Sequence, residues 1–392
     1  MKKLMVGLAV VAAAGSYAAS AQTVLQVPTS WADNVTVKGD LRYRFETIND
    51  DAKLNADKDT YTRYRNRIRA RLGAEAKCND HVKAGIEIAT GQTDPVSANQ
   101  TIGDFFNKKD FRLNLAYIDY NPFLDTDANE LHLVAGKMKN PFTPVLNGDL
   151  VWDPDLTPEG VALDSRWALG DAVTVLGKGG YVWIQERSDK SDTMLYAGQA
   201  AIKLQFIPEV YLTLGGSYYK YDTIQGVDVF DWEAKNNSYG NSTMKGSVSG
   251  STTNKAFASE YAPVEAFAEL GIWAIKGLPI TLYGQYVTNP KADEFKTGYQ
   301  AGISLGKAKN PGTFEVGYSY AQLDKDAVVG AFTDSDRWGG GTDGKGHKMY
   351  AKYQFLKNLQ GAVAYFIDTK PNSDASKEQD YQRLQVDLVA AF

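Results

Sequence analysis

Apolar and polar residues alternate with a period of two along most of the chain. In 35–46, Val35, Val37, Leu41, Tyr43 and Phe45 fall on one side, and Thr36, Lys38, Asp40, Arg42, Arg44 and Glu46 on the other. A 3.6-residue period would scatter those charges around a helix, whereas a strand sorts them onto opposite faces. The same alternation runs through 196–206 and 312–322. It recurs in the last segment, where Leu384, Val386, Leu388, Ala390 and Phe392 oppose Arg383, Gln385 and Asp387. Followed along the sequence, the pattern predicts sixteen strands: 35–46, 62–77, 81–90, 110–120, 131–139, 159–167, 173–186, 195–206, 210–221, 260–274, 279–287, 296–306, 312–322, 347–356, 359–368 and 382–392. Its least regular part is 159–186, where Gly177, Gly179 and Gly180 interrupt the alternation.

The connections between these strands are unequal. Asn79-Asp80, 207–209, 308–311 and Lys357-Asn358 are short, whereas 47–61, 91–109, 140–158, 222–259 and 323–346 are long. With sixteen strands, both ends of the sheet lie on one side and every long connection falls on the other. This asymmetry predicts an all-β, transmembrane antiparallel β-barrel with short periplasmic turns and long extracellular loops. A strand with one apolar face can meet lipid, but its backbone groups cannot remain unpaired there, so the sheet must close. At about sixteen strands the closed sheet is wide enough to hold water.

The first residues form a separate device. Lys2 and Lys3 precede an apolar stretch at 4–14 and the small-x-small sequence Ala19-Ser20-Ala21. These predict a signal peptide over 1–21, a periplasmic N-terminal segment over 22–34, and a barrel over 35–392. The apolar stretch is too short to anchor in a bilayer, and no later segment is apolar for twenty residues, which excludes helical spans. Aromatic residues make up 12 % of the chain, yet the mean hydropathy is −0.35. Strands shared between lipid and water reconcile the two. The one cysteine, Cys78, excludes an intrachain disulfide. Without Lys2 and Lys3 the 42 basic residues fall to 40 against 47 acidic ones, a formal charge of −7. That balance argues against a nucleic-acid partner.

The sharpest local feature is the row Arg63, Arg65, Arg67, Arg69 and Arg71. On a strand these side chains share one face, with neighbours about 7 Å apart. Facing lipid would cost about 2–4 kcal/mol for each arginine near the midplane, so the row must face water. Arg42 and Arg44, on the preceding strand, extend it into a basic pore wall. A solvated face of a soluble sheet and a nucleic-acid footprint are the competing readings of the row. So many like charges call for carboxylate partners, for which Asp40, Glu75 and Glu87 are the nearby candidates.

The remaining chemistry-bearing residues are bland. His81, His132 and His347 have no ligand spacing. Gly339, Gly340, Gly341, Gly344 and Gly346 lack the Gly-Lys-Ser/Thr ending of a phosphate loop and read as a flexible outer loop. Tyr117, Trp183, Tyr211, Trp273, Tyr286 and Tyr353 are expected at strand ends or on lipid faces. No catalytic constellation, metal site or cofactor site is predicted.

Two stretches carry a family resemblance: Gly136-Lys137-Met138-Lys139-Asn140-Pro141-Phe142 and Val151-Trp152-Asp153-Pro154-Asp155-Leu156-Thr157-Pro158-Glu159-Gly160. With the strand pattern, they make the chain resemble bacterial outer-membrane porins, specifically the group called putative porins, on a general-porin sixteen-strand topology. The resemblance implies that the third long loop, 140–158, folds into the barrel. Asp149, Asp153, Asp155 and Glu159 would then face the arginine wall. It also implies a homotrimer. The terminal Phe392 on an alternating last strand resembles the signal read by the barrel-insertion machinery. The function expected is passive diffusion of small polar solutes and ions, with lipid and lipopolysaccharide outside. A channel selective for sugars or oxyanions, and a structural barrel, are the alternatives.

Overall fold

The computed structural model describes residues 34–54, 60–126, 128–142, 148–188, 190–232, 237–245, 255–273, 278–371 and 378–392. The expected signal peptide and 22–33 lie outside these residues. Sixteen long strands form the sheet: β1 Val35–Leu54, β2 Thr60–Lys77, β3 Val82–Thr90, β4 Phe111–Tyr120, β5 Asn129–Lys137, β6 Glu159–Leu169, β7 Val173–Gln185, β8 Thr193–Ile207, β9 Val210–Asp222, β10 Val264–Ile272, β11 Ile280–Thr288, β12 Thr297–Gly306, β13 Phe314–Leu323, β14 Gly344–Leu356, β15 Leu359–Lys370 and β16 Gln379–Ala391. Each pairs antiparallel with its chain neighbour, and β1 pairs with β16 to close the cylinder. At the seam, the Gly39 and Phe392 amides donate to each other's carbonyls at 2.9 and 3.0 Å. Closure leaves neither the first nor the last strand as an open edge whose amides would need water.

The two faces differ as the alternation demands. Leu41, Tyr43, Ile86, Ile118, Tyr196, Tyr286, Tyr299, Phe314 and Leu388 are all exposed on the outside. A belt of such size would be an aggregation surface in water but suits lipid. Trp183, Trp273, Tyr286 and Tyr353 belong to this exposed set. Tyr117 and Tyr211 do not: their hydroxyls donate inside the barrel to Glu75 and Glu269 at 2.9 and 2.8 Å. Parity decides this, since Tyr117 lies abreast of Gly85 and Tyr211 abreast of Gly271. Each ring occupies the space a side chain on that glycine would need; a Cβ at Gly271 would meet the Tyr211 ring at 2.1 Å. Gly271→Val should therefore displace the ring, break its bond to Glu269 and destabilise the barrel by about 1–3 kcal/mol. Urea unfolding of vesicle-inserted protein, compared with Tyr211→Phe, measures this. Equal loss in both variants would count against ring displacement as the cause.

Several boundaries differ from the sequence pattern. The expected long loop 47–61 is mostly strand: β1 and β2 stay paired to Asn49↔Thr62, and after a register shift Leu54 meets Thr60. Polar residues on both faces hid this extension, because a strand pair beyond the lipid needs no apolar side. The three glycines of β7 leave it unbroken, since each keeps its ladder partner on β6. Long connections 91–110, 138–158, 223–263 and 324–343 all lie at one end of the barrel. Within 223–263 a short hairpin pairs Thr243–Lys245 with Lys255–Phe257.

The long-loop half of the interior is packed rather than empty. Leu150, Val151 and Trp152 join Tyr219, Tyr221, Phe257, Tyr261, Leu323, Val328, Val329 and Trp338 in one buried apolar cluster. Trp152 meets Tyr219 edge to face at 5.2 Å. The glycine-rich segment, expected as a flexible outer loop, is part of this packing. Gly340 and Gly341 adopt φ of +94° and +88°, and the Trp338 indole N–H donates to the Gly341 carbonyl at 2.8 Å. Positive φ at these positions lets the chain turn back around the buried ring.

Candidate functional site in the barrel lumen

Register assembles the charged wall. Across β1 and β2, Asp40 lies abreast of Arg71, Arg42 of Arg69, Arg44 of Arg67 and Glu46 of Arg65. On the other side of β1, Arg44 lies abreast of Asp387 and Glu46 of Gln385. Cross-strand neighbours on one face are only about 5 Å apart, so three strands make one patch. The neighbouring Leu41, Tyr43 and Leu72 are exposed on the outer face, which places the patch inside.

Most of the patch's charge is paired. Arg44 makes a two-pronged pair with Asp387, both bonds at 2.7 Å, and also reaches Asp336 at 3.3 Å. The fully buried Glu46 accepts from Arg65 and, at 2.7 Å, from Arg383. Arg67 approaches Glu46 at 3.9 Å. Asp40 holds Arg69 and Arg71 through bonds of 2.9 and 2.6 Å. Seven guanidiniums (Arg42, Arg44, Arg65, Arg67, Arg69, Arg71 and Arg383) thus share five carboxylates (Asp40, Glu46, Asp155, Asp336 and Asp387). Arg63, beyond this network, is exposed.

Loops cover the patch. Arg42 donates to Asn99 at 2.7 Å, and Arg67 to the Asn99 carbonyl at 3.1 Å. The short strand Gln100–Thr101 extends this cover by pairing with Ile68 and Arg67. Asp336 comes from 324–343. The side chains of Arg42, Arg44, Arg65, Arg67 and Arg69 are left only 12, 8, 16, 13 and 10 % exposed. Arg71, at 30 %, is the most open of those in the network.

The four loop carboxylates divide by partner. Asp155 alone meets the row, at 3.4 Å from Arg69 and 3.8 Å from Arg71. Asp149 points elsewhere. It accepts from Arg337 at 3.0 Å, from Lys348 on β14 at 2.7 Å and from Gln300 on β12 at 2.8 Å. Burial pushes its carboxyl up, but Arg337 and Lys348 outweigh this and hold it below the usual carboxylate range. Asp153 accepts the Ser335 and Asp155 amides at 2.9 and 2.7 Å. Burial and the charges of Asp334 and Asp155 push its carboxyl well up. Burial and Asp149 likewise push Asp334 up to about 7. Glu159 is exposed and pairs with Lys137 at 2.9 Å instead of an arginine. Glu75 and Glu87 do not meet the row either; they accept from Tyr117 and Asn114.

The described part of 140–158 therefore links β5 and β6 to β12 and β14 on one side and β2 on another. It is fastened to 324–343 as well: the Asp153 amide donates to the Phe332 carbonyl at 2.8 Å. The sequence pattern did not single out Glu46, Asp336, Arg337, Lys348 or Arg383 as site residues. Apolar runs inside predicted loops, Leu150-Val151-Trp152 and Ala327-Val328-Val329, were the available signal that these segments bury something. Among the described residues no group of three or more His, Cys, Asp or Glu is arranged to hold a metal.

A family model described as putative porin matches residues 47–258 and 235–392. The chain belongs to this porin family. Solved structures agree on the porin fold. OprB of Pseudomonas putida is 12 % identical with a TM-score of 0.57, covering 92 % of this chain and 94 % of its own. OmpF of Salmonella typhi, in complex with daunomycin, is 12 % identical with a TM-score of 0.53, covering 91 and 97 %. Comparison with curated proteins returned no match. The porin is thus an outer-membrane β-barrel of channel type.

Proposed function

We propose that this porin is a passive diffusion channel for small hydrophilic solutes and ions. The observation that carries the reading is the pairing of an apolar outer face with a charged interior narrowed by 148–158 and 324–343. Nothing in such a channel needs to move for each solute. Width and the field of fixed charges set what passes. Charges held in a fixed network keep that field in place, and an apolar solute would have to displace ordered water. No binding energy is spent and no gradient is coupled.

The wider setting follows from this reading. Residues 1–21 act as the export signal, β16 with Phe392 serves recognition by the insertion machinery, and the barrel works as a homotrimer among lipid and lipopolysaccharide. Swelling of liposomes holding the purified protein tests the permeability. Swelling rates should fall steeply as sugars increase in size, without a saturable preference. A rate that saturates with one solute would favour a selective channel, and no swelling above protein-free liposomes would contradict diffusion altogether.

A further inference from the structure

Most of the arginine network is covered by loops and paired with carboxylates, so Arg42, Arg44, Arg65, Arg67 and Arg69 are not the surface that a passing solute meets. An open space lies beside the network. A chamber of about 660 Å³ is bounded by 89–98, the start of β4 and part of 137–159. A single ordered water needs only ~10–15 Å³ of such space, so the chamber holds many waters or a hydrated small solute.

Register explains the chamber. Arg71, Ala89 and Arg112 lie abreast across β2, β3 and β4. Ala89 contributes only a methyl group between two guanidiniums, and the chamber fills the space left above it. The charged groups lining it are Asp94, Arg112, Lys137, Asp155 and Glu159. Asp155 is engaged by Arg69 and Arg71. Glu159 is engaged by Lys137 at 2.9 Å, and Lys137 also donates to the Thr157 carbonyl at 3.0 Å. Asp94 accepts the Val96 amide at 3.0 Å. Arg112 differs: it is exposed, and among the described residues it has no ion pair.

Resting on the channel reading above, we propose that solutes pass through this chamber and that Arg112 sets the charge preference there, favouring small anions such as chloride and small carboxylates. The arginine row acts instead as the framework that holds the loops back from the passage. Lys137 is paired with Glu159 and Asp155 with Arg69 and Arg71, so Arg112 is the lining cation left open to the space, and its guanidinium makes the field around it positive. An anion entering the chamber can exchange part of its hydration for the guanidinium fork, which offers several donors in one plane. The attraction is weakened by water and salt, so the site selects without trapping.

The test is the reversal potential of the full-length protein in planar bilayers under a tenfold KCl gradient. Wild type should prefer chloride. Arg112→Glu should lower the chloride-to-potassium permeability ratio by about threefold or more, the size expected for reversing one solvent-exposed charge near the path. Arg112→Gln, which removes the charge but keeps a polar side chain, should fall between the two. A conducting Arg112→Glu channel with the wild-type reversal potential would overturn this inference alone, as would wild-type preference for potassium. Absence of any wild-type conductance would instead remove the channel reading on which it stands.

Discussion

Glu46→Gln should be among the most damaging single substitutions in the barrel. The carboxylate is fully buried and accepts from Arg65 and Arg383, while Arg44 and Arg67 lie within 3.5 and 3.9 Å. Glutamine keeps the shape but removes the charge, leaving four guanidiniums with less compensation in a covered site. Breaking one member of a buried ion network typically costs about 3–5 kcal/mol, because the partner charges stay buried. The loss should appear as a lower urea midpoint for vesicle-inserted protein. Asp40→Asn offers the contrast. It serves Arg69 and the more open Arg71, and Asp155 already stands near both, so water and that carboxylate can take over. An equal loss in the two variants would mean that burial of Glu46 does not matter as argued.

Asp149→Asn should act on conductance more than on the barrel itself. Asp149 fastens 148–158 to Arg337, Lys348 and Gln300. Arg337 is 1 % exposed, so loss of this carboxylate leaves a buried guanidinium with only Asp334 and Asp368 as acidic neighbours, at a cost of at most about 3–5 kcal/mol. The β-ladder does not run through these bonds. The expected response is therefore local opening: 148–158 and 324–343 separate, the interior widens, and single-channel conductance rises with larger fluctuations. The urea midpoint of the barrel should move much less than in Glu46→Gln. Wild-type conductance in Asp149→Asn would show that this fastening does not govern the width of the path.

The barrel was largely legible in the sequence because lipid imposes a strict rule on each strand. Every second residue must be apolar, and the rule can be read one strand at a time. It fails where the strands leave the lipid, as at 47–54, whose residues pair without an apolar side. The interior was legible only in part. Alternation places Arg65 and Arg67 on one face, but it cannot say that Glu46 is abreast of Arg65. That depends on register. Nor can it bring Asp387 beside Arg44, because the two are brought together only by closure of the sheet. Asp149 reads as an acidic loop residue, yet its partners sit on β14, β12 and 324–343, and no local pattern specifies that meeting. The pairing of the arginine row was invisible for the same reason: Asp336 and Asp387 come from distant parts of the chain.

The central claim is that this closed sheet is a water-filled passage through the outer membrane. Current recorded across a planar bilayer after addition of the purified, folded protein tests it most directly. Stepwise increases of uniform size, without nucleotide or an imposed ion gradient, are the predicted result. A protein shown by protease protection to be inserted, yet giving no steps above the bare membrane, would contradict it.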